Sequence, residues 1–482
     1  MTADYVAYHA AERPDAVAVV SDGRSVSYAE LDRDIRKFAG AVHELGVVPG
    51  GSVAIGCNDF YVELLLLLAC ERLGAASASL GSREGSSALP LLASVSLVLS
   101  EHTDPPGATK RHHAITPAWV RSILDRAAID DLPAPGTTPE DIVRIGRTSG
   151  TTGDSKQLAF RRRQRDARIH GQVWGARITG DSRCLAAVPF GVNSQYVFAM
   201  GALRCGATLI SDKRIEVAQA IAAHAITHVV LLPIHVRIIL DSLPPGFEKP
   251  ADLTIISIGA PLSEALRERT MARLASRVCD LYGTQEVGNI AWRTSAGTGG
   301  IATIWPGVQV QLVDDADAPL PMGQAGRLRV KAGYMAEGYL DDPEATRRKF
   351  RNGWFYTDDV AVLRGPNRLQ IIGRGDDLLN IGGGKIAPGA LEDLVLRTVG
   401  AKDAGVCAIR NRDEIEEIWI AVSGCPIADP ELLQRLKQAL VHLQIGTFRV
   451  MRLPQLPRNA SGKIKRDELK AAIMEAAGRS AG

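Results

Sequence analysis

The segment Thr148-Ser149-Gly150-Thr151-Thr152-Gly153-Asp154-Ser155-Lys156 gathers five hydroxyls, two glycines and one cation. Glycines let a backbone turn so that several N–H groups converge on an anion. The hydroxyls add donors and Lys156 adds charge, so the segment suits a polyphosphate. It is not a Walker A loop, because Lys156 follows Ser155 rather than a Gly at the required spacing. The same composition also suits a plain surface loop. Other segments place chemistry-bearing residues beside backbone breakers. Tyr282-Gly283-Thr284-Gln285-Glu286 ends on an acid and, alone, reads as a strand-to-loop turn. Trp354-Phe355-Tyr356-Thr357-Asp358-Asp359 reads alone as an acidic turn after an aromatic strand. Gly373 to Gly384 holds five glycines and three charged residues, a hinge or a plain linker. Lys463 follows Gly462 in a tail that also carries Lys465 and Arg466.

These residues need a frame, and the chain has the material for one. It has 482 residues, 46% hydrophobic and 23% charged, which predicts two to four soluble domains or subdomains. The net charge of +2 argues against nucleic acid or an anionic membrane as partner. The basic run Arg161–Arg165 reads as a solvated helix face. Seven scattered cysteines without a metal or CxxC spacing fit free thiols in a reducing cytoplasm. Met1–Arg13 has no basic patch leading into an apolar run, so no secretory signal is expected. Leu64–Cys70 is too short to span a membrane and reads as a buried helix.

Ser27 three residues before Glu30 predicts a capped helix running to about Leu45. Short apolar runs at Val53–Gly56, Val229–Leu232 and Ile255–Ile258 alternate with helical patterns at Leu64–Leu73, Ile234–Leu240 and Ser263–Leu274. That rhythm predicts parallel sheets covered by helices. After about Thr303 the alternation at Val308–Val313 and Gly326–Val330 predicts a β-rich subdomain. The last hundred or so residues predict a small α+β domain.

Taken in order, the motifs resemble those of the adenylate-forming superfamily, which includes acyl- and aryl-CoA synthetases, peptide-synthetase adenylation domains and firefly luciferases. The resemblance runs from roughly Ala11 to Leu469. Thr148–Lys156 is similar to its phosphate loop, with Ser155 where Pro is usual and Gln157 where Gly is usual. Tyr282–Glu286 is similar to Tyr-Gly-x-Thr-Glu. The resemblance implies that Asp280, Leu281, Tyr282 and Gly283 border the nucleotide, with Gly259-Ala260-Pro261 as a wall against adenine. It also implies that Thr284 and Gln285 lie near the α-phosphate and that Glu286 helps hold Mg²⁺. Asp359 takes the place of the ribose-binding acid, and Arg374 that of the arginine meeting ribose or phosphate. Asp376 stands at the pivot. Gly382-Gly383-Gly384-Lys385 resembles the loop that lines a coenzyme A tunnel. Pro457 to Lys463 resembles the terminal motif whose lysine, here Lys463, bridges the attacking carboxylate and the α-phosphate.

The implied fold is α/β. Residues 1–374 form a nucleotide-binding region of two α/β subdomains plus a β-rich one, and residues 375–482 a small mobile α+β domain. The implied activity is formation of a coenzyme A thioester from a carboxylic acid through an acyl-adenylate, using ATP, Mg²⁺ and coenzyme A and leaving AMP. Phe190, Val192, Asn193 and Ile258 fall where such ligases line the acid pocket, and Val192 predicts a more apolar pocket than the His common there. The departures Ser155, Gln157, Gln285 and Asp358 cluster at the phosphates. They leave open an enzyme that mainly transfers a supplied acyl-adenylate. A carrier-protein thiol is the alternative acceptor.

Overall fold

The computed structural model describes residues 1–80, 95–101, 111–128, 136–148, 156–294, 300–340, 342–375, 379–381, 384–386, 388–410, 416–440, 448–459 and 462–480. Ser27 caps the helix Tyr28–Glu44 as its sequence predicts: its hydroxyl accepts from the Glu30 N–H at 3.2 Å while the Glu30 carboxylate accepts from the Ser27 N–H at 2.8 Å. Asp59 starts the next helix, Phe60–Arg72, by accepting from the Val62 N–H at 3.0 Å. Every residue from Leu64 to Cys70 is buried, which identifies the apolar run as a core helix. Each leucine contributes roughly 2 kcal/mol by leaving water.

Among the described residues the larger sheet has fourteen strands. Its parallel half pairs Val17–Ser21, Thr208–Ser211, Arg183–Leu185, His228–Leu231, Thr254–Ser257 and Arg277–Thr284 in that spatial order. The chain then doubles back at Gln285–Val287 into the antiparallel strand Gly288–Arg293. From there the sheet continues through Ile301–Ile304, Arg368–Arg374, Trp354–Gly365, Ala325–Ala332 and Val308–Val313. The β-rich region after Thr303 is therefore hydrogen-bonded to the parallel region as one sheet.

A second sheet, of seven strands among the described residues and centred on the parallel strands Ser52–Gly56, Ala76–Ser79 and Leu97–Ser100, faces the first across helices. One apolar core takes Ile55 and Leu99 from this sheet, Val230 and Ile256 from the other, and Phe38, Ile169 and Phe198 from the helices between. The described residues from Leu379 onward pack around cores of their own, built on the strands Asp403–Arg410, Glu416–Ser423 and Phe448–Arg452. All seven cysteines are free thiols. No helix among the described residues is long and apolar enough to cross a membrane.

The basic run departs from expectation. The Arg165 side chain is buried and ion-paired with buried Glu71 at 2.5 Å. Arg161 and Arg163 do face outward, where they pair with Glu337 at 2.9 and 2.7 Å. Composition counts the charges of a helix but does not say which turn faces a buried acid.

Candidate active site

The strand Arg277–Thr284 delivers Asp280, Leu281, Tyr282 and Gly283 to the edge where the large sheet changes from parallel to antiparallel. Gly283 is required there by space, since a Cβ would lie 2.4 Å from the Gly288 carbonyl oxygen. The Thr284 hydroxyl accepts from the Val287 N–H at 3.1 Å and is thereby committed to the turn. Asp280 is engaged by Arg293 at 3.0 Å, and Arg293 also bonds Glu264 at 2.6 Å. Burial raises the Asp280 carboxyl above its usual range, and Arg293 opposes that rise.

The turn that carries Gln285 and Glu286 is held by a residue that the sequence reading passes over. Arg168, from the helix Arg162–Ala176, donates to the carbonyls of Gln285 at 3.0 Å, Glu286 at 2.9 Å and Tyr334 at 3.1 Å. Its guanidinium is buried over the Phe160 ring, and burial brings its pKa down to about 10. A lone arginine in a helical pattern has no spacing that marks it. Glu286 Oε1 accepts from the Tyr339 hydroxyl at 2.7 Å. The Lys156 ammonium lies 5.4 Å from the Tyr339 ring centre and pairs with Asp342. Glu286, Tyr339 and Lys156 thus form one end of the site. Thr148 and Lys156 are joined by a backbone bond of 2.8 Å and by the Thr148 hydroxyl accepting from the Lys156 N–H at 3.0 Å. Ser149, Gly150, Thr151, Thr152 and Gly153, together with Ser155, lie outside the described residues.

At the other end the Tyr282 hydroxyl donates to Asp359 Oδ2 at 2.5 Å. Asp359 and Arg374 stand opposite each other on paired strands. Burial raises the Asp359 carboxyl, while the Tyr282 bond, Arg374 and Lys463 oppose the rise. Lys463, from the far end of the chain, is thereby placed within electrostatic reach of Asp359. Its backbone N–H is fixed by Asn459 Oδ1 at 2.9 Å. Gly462, at φ +77°, abuts Ile234; a Cβ there would lie 2.9 Å from Ile234 Cγ2. Asp358 points the other way, bonded to Lys349 and, at 3.2 Å, to Arg374.

Gly259, at φ +82°, turns the chain after Ile258, and half-buried Ala260 and exposed Pro261 follow it. Phe190 stacks on Phe60 with ring centres 5.3 Å apart, and its carbonyl accepts from buried Arg144 at 2.9 Å. Phe190, Ile258 and the half-buried Val192 and Ile234 share one apolar cluster, and Asn193 is buried beside Val192. Gly384 and Lys385 lie on a short strand paired with Leu379–Ile381. Gly382, Gly383 and Asp376 lie outside the described residues.

The donor set fits magnesium as a companion of a polyphosphate. The described residues hold no group of three or more His, Cys, Asp or Glu that could cage a metal alone. Magnesium is commonly held by one or two carboxylates plus substrate phosphates, and Glu286 supplies such a carboxylate.

A family model described as AMP-binding enzyme matches residues 6–340. The chain is 24% identical to 4-coumarate--CoA ligase 5 of Oryza sativa subsp. japonica, over 98% of this chain and 94% of that protein. It is 26% identical to feruloyl-CoA synthase of Amycolatopsis sp, over 95% of this chain and 96% of that protein. Among solved structures it is similar in fold to ATP-bound MatB from Rhodopseudomonas palustris, at a TM-score of 0.86 and 23% identity, covering 98% of this chain and 99% of that one.

Proposed function

The chain belongs to the AMP-binding enzyme family, and from that premise we propose that it is an acyl- or aryl-CoA synthetase that joins a carboxylic acid to coenzyme A through an acyl-adenylate. The observation that carries the reading is the Tyr282–Asp359 hydrogen bond opposite Arg374 on the paired strand, together with Glu286 bonded to Tyr339 beside Lys156. In the first step a carboxylate oxygen attacks the α-phosphorus of ATP and the bond to pyrophosphate breaks. Both reacting groups are anionic, so a cation placed between them lowers the barrier; Lys463 is that cation. Asp359 accepts from the ribose hydroxyls, for which a carboxylate has the capacity. Glu286 would hold a magnesium ion, which would supply positive charge to the leaving phosphates. Tyr282 and the Gly259–Pro261 turn flank adenine.

In the second step the coenzyme A thiolate attacks the acyl carbon and AMP leaves. Residues 375–482 turn about Asp376 between the steps, withdrawing Lys463 and bringing Gly382–Lys385 to the tunnel. Rigid rotation of a small domain is an established means of exchanging catalytic groups. The free thiols and the absence of a spanning helix among the described residues support a cytoplasmic enzyme.

Arg374 bonded to Asp358, and Gln285 in place of a hydroxyl, favour a variant of this reading in which adenylation is the slow half. The test is mass spectrometry of thioesters formed from coenzyme A, ATP, Mg²⁺ and a panel of aryl, alicyclic and aliphatic acids, beside parallel reactions given presynthesised acyl-adenylates. Thioesters from the acids are expected. Lys463→Ala should lower pyrophosphate release by at least about a hundredfold while leaving transfer from the adenylates within a few-fold. Equal loss in both halves would remove Lys463 from its role, and no thioester from either source would overturn the reading.

A further inference from the structure

The helix that begins beside Val192 leaves one group unexplained. Gln195 is completely buried, and neither its amide oxygen nor its amide nitrogen has a hydrogen-bond partner among the described residues. An amide so placed costs free energy that a leucine of similar size would not.

Helix geometry gives its direction. Gly201 of the helix Asn193–Cys205 packs on Val173 and Ile169 of the helix Arg162–Ala176. Tyr196 turns toward Glu71, with the Arg144 guanidinium 4.2 Å from its ring centre. At 100° per residue, Gln195 lies about 120° round from Gly201 and about 100° from Tyr196. Ala199 and Ala202, on the same face as Gln195, belong to the core that includes Leu209 and Val230, and the helix packs on the strands Thr208–Ser211 and His228–Leu231. Gln195 is on the first turn, just after the loop that leaves the carboxyl end of the parallel strand Arg183–Leu185. The same ends of the neighbouring parallel strands lead into Leu232 and Ile258. Ligands of such sheets bind beyond the carboxyl ends of the strands.

We propose that Gln195 is a specificity-determining residue, selecting acids that carry a hydroxyl or amino group on an otherwise apolar body. The inference rests on the acyl-CoA synthetase reading. Phe190, Val192 and Ile258 supply apolar surface for the body of the acid. A hydroxyl can donate to the amide oxygen and accept from the amide N–H, a methoxy group can only accept, and a methyl group does neither.

The test uses benzoate, cyclohexanecarboxylate and 3-phenylpropanoate, each bearing hydrogen, methyl, methoxy, hydroxyl or amino at the end remote from the carboxylate. Relative kcat/KM for thioester formation is read by mass spectrometry. Dissociation constants of the matching acyl-sulfamoyl adenosines are read by calorimetry. At least one scaffold should show hydroxyl or amino preferred over methyl by about tenfold, and Gln195→Leu should abolish or invert that ratio. Should the leucine variant not fold, Gln195→Met serves, with the ratio again expected to collapse. Thioesters without any hydroxyl or amino preference would overturn the role of Gln195 and leave the synthetase standing. A preference in analogue binding without any thioester would overturn the synthetase and keep Gln195. If no analogue binds, both fall.

Discussion

Asp358 stands between two cations, with Lys349 on one oxygen and Arg374 on the other. The carboxylate is about half exposed, so these pairs add up to ~1 kcal/mol each, and their effect is one of aim. Arg374 is opposite Asp359 across the strand pair yet bonds its neighbour. Replacing Asp358 with Gly should let Arg374 turn to the ribose and lower the KM for ATP about two- to fivefold, with transfer from a supplied adenylate unchanged. Pyrophosphate release against ATP concentration measures it. A raised KM would mean that Asp358 holds Arg374 where the nucleotide needs it. At this scale the spaced motifs were readable as neighbours: Tyr282 bonds Asp359, and Glu286 bonds Tyr339 beside Lys156. Arg168, Arg144 and Gln195 were not readable, because burial of a lone polar side chain depends on partners distant in sequence. Arg144 reaches Ser77, Ser79 and the Phe190 carbonyl.

The helix Arg162–Ala176 joins fold to site through two of its turns. Arg165 points to Glu71, which also accepts from the Thr2 N–H at 2.6 Å, and Arg168 points to the Gln285–Glu286 turn. The two arginines predict different failures. Arg165→Met leaves Glu71 charged and buried, at a cost of roughly 3–5 kcal/mol. Denaturant unfolding should show that loss, and adding Glu71→Gln should recover much of it; a double variant no better than the single would deny the coupling. Arg168→Met releases three carbonyls near the phosphate end. Adenylation should fall by about ten- to a hundredfold, mostly through the KM for MgATP, while the unfolding midpoint falls less than for Arg165→Met. A loss of stability with unchanged half-reaction kinetics would make Arg168 purely structural. Element positions were read well because periodicity is local: the expected strand at Val53–Gly56 lies in Ser52–Gly56, and the expected helix at Ser263–Leu274 contains Glu264–Arg273 with Ser263 as its cap. The inward face of the basic run was not readable, since its partner Glu71 is on another helix.

Across the whole molecule, the alternation of strands and helices gave away the parallel sheets, whereas the continuity of one sheet from Val17–Ser21 to Val308–Val313 depends on non-local pairings such as Ile301–Ile304 with Arg368–Arg374. Among the described residues the terminal region meets the helices Pro233–Asp241 and Glu264–Arg273 beside this sheet. Arg237 reaches the Lys402 carbonyl at 3.2 Å and Asp403 at 3.4 Å, Gly462 meets Ile234, and the helix Pro388–Val399 packs on Glu264–Arg273. Asp393, on the former helix, is pushed up to about 6 by burial; Arg397 and Arg293 oppose this, while Glu392 and Glu264 add to it. Arg293 and Glu264 belong to the other side of this contact, so the docked form has its own proton affinity. If docking supplies the burial that raises Asp393, the docked form binds this proton more tightly. Docking is therefore strongest at low pH, weakens as pH climbs from the ordinary carboxylate range through about 6, and is level above that. If docking presents Lys463 for adenylation and undocking admits the thiol, the ratio of the two half-reactions must follow the same curve. Between pH 5 and 7.5 the ratio of pyrophosphate release to thioester formation from adenylate should fall several-fold in the native protein. In Asp393→Asn, which has no charge to desolvate, it should stay higher and flatter. Identical pH profiles in the two proteins would mean that Asp393 titrates without any bearing on domain docking.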